Sequence, residues 1–470
     1  MTLRRNTALN LAGHTLPLVA ALVTIPAVVQ LYGEQRYGAL VLTLLLATYF
    51  GLAELGLSHA VAQRLASQPL AEGEAWRLSL TTGFWGSGAL GLAGGAMAWV
   101  VGRLYFATPT AGSPPSDDLF AAIPWLLPLV PLCTMGAVLL ASLQAQGRFL
   151  ALNLVQGFGG VALLLAPWGV AVTVGADLSA AVAAIVAVRA AMLFVLWHLH
   201  PQNRRPKRTS SVSTSELRKL LAYGGWASVS ATIGPLMVVL DRFVIGQQLG
   251  LRTVPTYAIP FQLAEKTTLL SSAINHALFP GLAAAESPAH RQEMALRAIG
   301  LLALVSAPPV ALGVMLCGPF LSWWLPGELG VDGALVAQWL LVGFWLNGLA
   351  LVPLTLLYAA GRPAVVARCH LIELAPYLVL LTVAVAEGGL AGAAIAFTVR
   401  ALADLLMLSW GASMLVKTAF VTALSGLVIL AAGVAAAASN GVLGTAAMSL
   451  AGIMAAAQLI YAARRYATTQ

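Results

Sequence analysis

Asp241 and Arg242 stand side by side in "VVLDRFVIG" at 238–246, a stretch otherwise composed for hydrocarbon. Arg189, Lys266 and Arg400 are further cations set in apolar segments, and Glu54, Glu265, Glu373 and Asp404 are further acids. Facing lipid at mid-depth, each would cost roughly 2.5–3.5 kcal/mol on insertion scales, so they are expected to face a protein interior or a watered cavity. Arg400 and Asp404 are four residues apart and can neutralise each other on one helix. Asp241 and Arg242 project about 100° apart and are therefore assigned separate partners. Asp241 falls on a narrow polar face, and with Glu373, three residues after His370, it is a candidate ion-coupling group. Arg242 lies four residues before Gly246, close enough to the helix end to snorkel to the outer interface.

Helical spacing gathers other polar residues into candidate cavity walls. Gln262, Glu265, Ser272 and His276 share one face, with Lys266 beside Glu265; Asn10 and His14 share another with Pro17 and Thr24. Glu54 aligns with Thr43 and Ser58, and His59 lies on a neighbouring face that leads through Gln63 to Arg64. The competing reading of each lone histidine is a hydrogen-bonded packing residue.

The elements that must position these groups follow from composition. The chain has 470 residues, 59% hydrophobic and 9% charged, where soluble domains run about 25% charged. Stretches of about 20 apolar residues, enough to span a hydrocarbon core of roughly 30 Å, recur throughout. Read between polar breaks they give about 14 spans: 9–32, 39–63, 79–102, 120–142, 150–172, 179–199, 220–246, 255–283, 298–322, 334–359, 364–386, 390–415, 418–437 and 443–463. The fold class is thus all-α and polytopic. The basic N-terminus precedes an apolar run longer than a signal-peptide core, and it reads as a retained first helix. With both termini cytoplasmic, the inner loops receive most arginines and lysines, including Arg64, Arg148, "NRRPKR" at 203–208 and Lys417; the outer loops receive only Arg36, Arg103 and Arg252. That bias is the positive-inside rule.

The polar segment 198–219 divides six spans from eight. We expect an N-lobe at 1–200, a basic cytoplasmic loop at 201–219, a C-lobe at 220–416 and two further helices at 417–470. Both lobes open with a glycine-bounded polar turn after their first span, "VVQLYGEQRYGAL" and "FVIGQQLGLRTVPTYAI", the pattern of an internal repeat.

Several classes are excluded. The sequence holds no P-loop, Rossmann glycine fingerprint or HExxH, and no cysteine and histidine metal spacing. No cofactor and no metal site is therefore expected, ATP coupling within the chain is unexpected, and the net charge of +8 follows the membrane rather than a nucleic acid. Cys133, Cys317 and Cys369 lie in apolar stretches and imply no disulfide framework.

The stretch 238–282, "VVLDRFVIGQQLGLRTVPTYAIPFQLAEKTTLLSSAINHALFPGL", resembles the seventh and eighth helices of oligosaccharide flippases of the O-antigen and capsule type. These belong to the polysaccharide-transport branch of the MOP exporter superfamily, alongside multidrug exporters and the lipid II flippase. "NLAGHTLPLVAALVTIPAVVQLYGEQRYGAL" and "FGLAELGLSHAVAQRLA" are similar to the first two helices. The resemblance implies two six-helix lobes forming a V-shaped central cavity in a bacterial inner membrane, opening alternately to cytoplasm and periplasm. The implied cargo is an oligosaccharide on a polyprenyl diphosphate, with H+ or Na+ as the coupling ion and polysaccharide polymerase and assembly proteins as partners. Lys266, Arg242 and Arg189 would hold the diphosphate, since buried cations suit phosphate. Glu54 and His59 depart from the arginines a cationic second helix would carry. Two alternatives stand beside this reading: a multidrug or small-cation exporter of the same fold, and a membrane enzyme or scaffold of polysaccharide assembly.

Overall fold

Backbone amides in hydrocarbon must be paired within their own segment, so apolar runs of this length fold as helices. The computed structural model describes residues 3–54, 56–67, 73–108, 117–199, 212–325, 327 and 329–437; the side chains of 3–15, 222–233, 235 and several segment ends lie outside the description. Every regular element among them is helical: α1 (Leu3–Gly51), α2 (Leu57–Ser67), α3 (Gly73–Ala107), α4 (Asp117–Ala122), α5 (Leu126–Ala145), α6 (Phe149–Thr173), α7 (Leu178–Leu199), α8 (Thr214–Leu249), α9 (Val254–Glu265), α10 (Thr268–Ala284), α11 (Pro288–Trp324), α12 (Leu329–Ala359), α13 (Pro363–Gly411) and α14 (Leu415–Ala437). Nine helices among the described residues are long and apolar enough to cross a membrane. Large apolar side chains on their outer faces stay uncovered, as lipid-facing residues should be; Trp323 is 80% and Phe420 84% exposed.

Helices and expected spans do not correspond one to one. α1 carries two spans joined at Gly33, whose φ of 73° and ψ of 162° lie where only glycine rests without strain. The second span does not run unbroken to 63: it ends as α1 at Gly51, passes through a 3-10 turn at Leu52–Glu54 and resumes as α2. α13 likewise carries two spans, broken at Gly389 (φ 57°, ψ −139°). The expected continuous span at 255–283 is instead two helices, α9 and α10, separated by a turn at Lys266 and Thr267. Hydrogen bonds from Lys266 N to the Leu263 carbonyl and from Thr267 N to the Ala264 carbonyl mark that turn, which interrupts the single polar stripe expected there. The fourteenth expected span lies outside the described residues.

The chain folds as two compact units, residues 1–239 with 249–254, and residues 240–248 with 255–470; α8 contributes to both. In the first unit, Leu57, Val61, Trp76, Phe84, Val138, Leu139 and Leu220 form a buried core. Where lipid supplies no hydrophobic drive between helices, close backbone approach must hold them. A Cβ on Gly91 would fall 2.6 Å from the Pro131 Cα, and one on Gly95 would fall 2.9 Å from the Leu127 carbonyl oxygen, so α3 and α5 meet along a glycine seam. In the second unit the core is Ile299, Leu302 and Val310 of α11, Leu349, Val352 and Leu356 of α12, Leu405 and Leu408 of α13, and Val428 and Ile429 of α14.

The two lobe-opening turns share geometry. Gly250, after α8, has φ 93° and ψ 160°, close to the values at Gly33. Arg252, beside Gly250, places its Nε 2.7 Å from Glu34 Oε2, so the equivalent turns are tied by an ion pair within the first unit.

Candidate functional site

The second unit buries a charged network. Asp241 is fully buried; its Oδ1 accepts hydrogen bonds from the Arg242 backbone N at 2.7 Å and from Arg242 Nη1 at 3.1 Å. Its Oδ2 accepts the Tyr257 hydroxyl at 2.7 Å. The Arg242 guanidinium lies 3.6 Å from the Phe261 ring centroid, an arrangement that stabilises a cation in a low dielectric. The expectation that Asp241 and Arg242 need separate partners is thus corrected. Adjacent Cβ vectors do diverge, but the long arginine stem folds its head back to the neighbouring carboxylate. Arg242, 4% exposed, does not snorkel outward.

A second correction concerns Arg400 and Asp404, which do not pair with each other. The break at Gly389 turns α13 into an antiparallel hairpin whose halves carry partners to one another: Arg400 Nη1 stands 4.0 Å from Glu373 Oε1, and His370 Nε2 stands 3.5 Å from Asp404 Oδ1. All four side chains are nearly buried. The Arg400 guanidinium is 5.1 Å from the Phe397 ring centroid and 5.7 Å from that of Tyr377. No hydrogen bond closes on either Glu373 carboxylate oxygen, on Asp404 Oδ1, or on Arg400 Nε and Nη2. Asp241, Glu373 and Asp404 face two guanidiniums and one imidazole, so the group is neutral only when a proton or another cation joins it. A net buried charge is strongly disfavoured.

The other candidate residues of this unit are more open. Lys266 sits exposed in the turn between α9 and α10; Gln262, Glu265 and His276 are exposed and Ser272 is half-buried. No ion pair engages Lys266 among the described residues.

In the first unit the Ser58 hydroxyl donates to Glu54 Oε1, and His59 Nδ1 is 3.5 Å from Ser58 Oγ. The other Glu54 oxygen is buried without a partner. Arg189, half-buried on α7, makes no ion pair among the described residues. The side chains of Asn10 and His14 lie outside the described residues.

Arg64 is not a free cavity cation. Its Nε is 3.3 Å from Oε1 of Glu216, which also accepts the Ser79 hydroxyl at 2.8 Å and has Lys219 Nζ 3.7 Å from its other oxygen. Sequence reasoning missed Glu216, although "STSE" at 213–216 is a capping-box pattern. The Ser213 hydroxyl accepts from Glu216 N at 3.3 Å, and the Ser213 N donates to Thr82 Oγ1 at 3.2 Å. These bonds start α8 and fasten it to α2 and α3. Burial disfavours the charged form of Glu216, but the Ser79 hydroxyl and Arg64 outweigh it and hold the carboxyl below the usual glutamate range. Tyr257 and Tyr377 were also missed; a tyrosine in an apolar run carries no signal of a buried acid nearby.

Residues 28–326, well over half of the chain, match the family described as polysaccharide biosynthesis protein. The chain is 26% identical over 416 residues to a curated protein of Shigella flexneri described as "Putative O-antigen transporter", covering 87% of this chain and 97% of that protein. Among solved structures, the lipid II flippase MurJ in an inward closed conformation superposes with a TM-score of 0.67 at 13% identity, over 98% of this chain and 99% of that one. An inward-facing MATE multidrug transporter of the MOP superfamily superposes with a TM-score of 0.64 at 15% identity, over 90% and 98%. At such identities the structural likeness is one of fold.

Proposed function

Because the chain belongs to the polysaccharide biosynthesis protein family, we propose that it is a flippase moving a polyprenyl-diphosphate-linked oligosaccharide from the cytoplasmic to the periplasmic leaflet. The observation that carries this is the likeness to the O-antigen transporter across 97% of that protein's length. The fold, that of MOP transporters, agrees with it. The glycan would be an O-antigen, capsule or exopolysaccharide repeat unit. In this reading the two lobes, the division at 201–219, both cytoplasmic termini and an inner-membrane location are as the sequence suggests, and alternating access exposes the cargo to each side in turn.

The diphosphate needs cations that are not already neutralised. Arg242 is committed to Asp241 and Arg64 to Glu216, which leaves Lys266 and Arg189 as the groups best able to receive phosphate oxygens. Coupling would act at the α13 hairpin. Glu373 has an arginine 4.0 Å away and no closed hydrogen bond, so it can exchange a loose ion pair for a bound H+ or Na+. Asp241 would hold Arg242 in place rather than exchange ions itself.

Transport of a fluorescent polyprenyl-diphosphate oligosaccharide in proteoliposomes tests the reading, with Lys266→Ala and drug efflux measured in parallel. Lipid translocation that is lost in Lys266→Ala supports the flippase. Absence of lipid movement with drug efflux present transfers the assignment to an exporter of the same fold.

A further inference from the structure

Within the first unit, α2, α5 and α6 line an open cavity of about 420 Å³, inside the ~300–1,000 Å³ range of small-ligand pockets. Ser58 and His59 of α2, Gln144 of α5, and Phe149, Asn153 and Gln156 of α6 supply its polar and aromatic wall. Alanines and leucines complete it. We propose that this cavity is the subsite for the uncharged sugar part of the cargo, separate from any cation that holds its diphosphate. The assignment rests on the flippase reading and specifies where the glycan is recognised.

The donor set selects the ligand class. Among the described residues no lining side chain carries a fixed charge, so neither a phosphate nor a drug cation finds a counter-charge on them. Glu54 is turned to Ser58 and is not part of the lining. Ser58 spends its hydrogen on Glu54 and has His59 Nδ1 3.5 Å from its oxygen, so it brings no free donor to the cavity. The side-chain amides of Gln144 and Gln156 make no hydrogen bond with a described residue. Each amide offers two donors and an acceptor, matching a sugar hydroxyl, which donates and accepts at once. Phe149 adds an apolar ring face against which the C–H face of a pyranose can pack. A lipid tail would leave those amides unpaired, at a cost.

Placement agrees. The cavity adjoins the turn at Gln146–Arg148 between α5 and α6, which the charge bias of the loops puts on the cytoplasmic side, where such a cargo would be loaded.

The test measures affinity of the protein in lipid nanodiscs for undecaprenyl diphosphate, bare and carrying a single N-acetylglucosamine, N-acetylgalactosamine, galactose or glucose. We expect at least one sugar to tighten binding about tenfold over the bare lipid. The double variant Gln144→Leu/Gln156→Leu should lose that increment while binding the bare lipid as the wild type does, which also verifies its folding. Phe149→Leu should lose part of it. The subsite is refuted if no sugar adds affinity or if the increment survives in the double variant. If neither bare nor glycosylated lipids bind the wild type, it is the flippase reading that fails.

Discussion

At the scale of single residues, the buried pair Asp241–Arg242 shows why a charge in an apolar run is not by itself a ligand site. Arg242 and Tyr257 satisfy Asp241 internally, and the Phe261 ring faces the Arg242 guanidinium. Removing one partner strands the other, which typically costs about 3–5 kcal/mol, whereas replacing both with apolar residues is often near neutral. Asp241→Ala should therefore lower the melting temperature in detergent more than the double variant Asp241→Leu/Arg242→Met does. Equal losses would mean that the pair is not coupled. Glu216 makes a pH prediction. Its carboxyl is held below the ordinary range in the folded protein, so its contribution to stability is full above the unfolded-state pKa of about 4.3. That contribution is lost as pH falls through the lower folded value. Glu216→Gln should be less stable than wild type at neutral pH, and the gap should narrow on acidification. A constant gap would remove the ionic contribution of Arg64 and Ser79.

At the scale of elements, two kinds of glycine are at work and they fail differently. Gly33 has open space where a Cβ would stand, so its substitution is penalised only through backbone strain. Gly33→Ala should cost about 1–3 kcal/mol while leaving the packing of α1 unchanged. Gly95 has helical geometry, but a Cβ there would stand 3.0 and 2.9 Å from the Leu126 and Leu127 carbonyl oxygens. Gly95→Val should force α3 from α5, reducing yield of folded protein more than Gly33→Ala does. Comparable thermal unfolding and yield for the two variants would deny the distinction between strain and seam. The same elements explain what a sequence hides: "GEQRYG" announces the break at Gly33 with polar neighbours, but "TLLSSAINHAL" gives no hint that the helix has already broken at Lys266.

At the scale of the molecule, the helical class and, among the described residues, most segment positions were legible because lipid leaves the backbone so few options. The loop charges add an orientation. After replacement of the three native cysteines, a cysteine at exposed Thr108 should react with an impermeant maleimide in intact cells, and one at exposed Glu286 only after lysis; the reverse pattern would invert the topology. The site was less legible. Lys266, Glu373 and His59 could be singled out because polar residues in apolar runs are conspicuous, but their partners could not. The pairing of Glu373 with Arg400 depends on a hairpin reversal at Gly389, and Gln144 and Gln156 flank a turn where amides are unremarkable. That hairpin carries a consequence for biogenesis. The half holding His370 and Glu373 emerges from the ribosome before the half holding Arg400 and Asp404 does. Entering lipid alone, it would bear an unpartnered acid at roughly 2.5–3.5 kcal/mol. Entry of α13 into the bilayer as a joined pair, rather than helix by helix, avoids that cost.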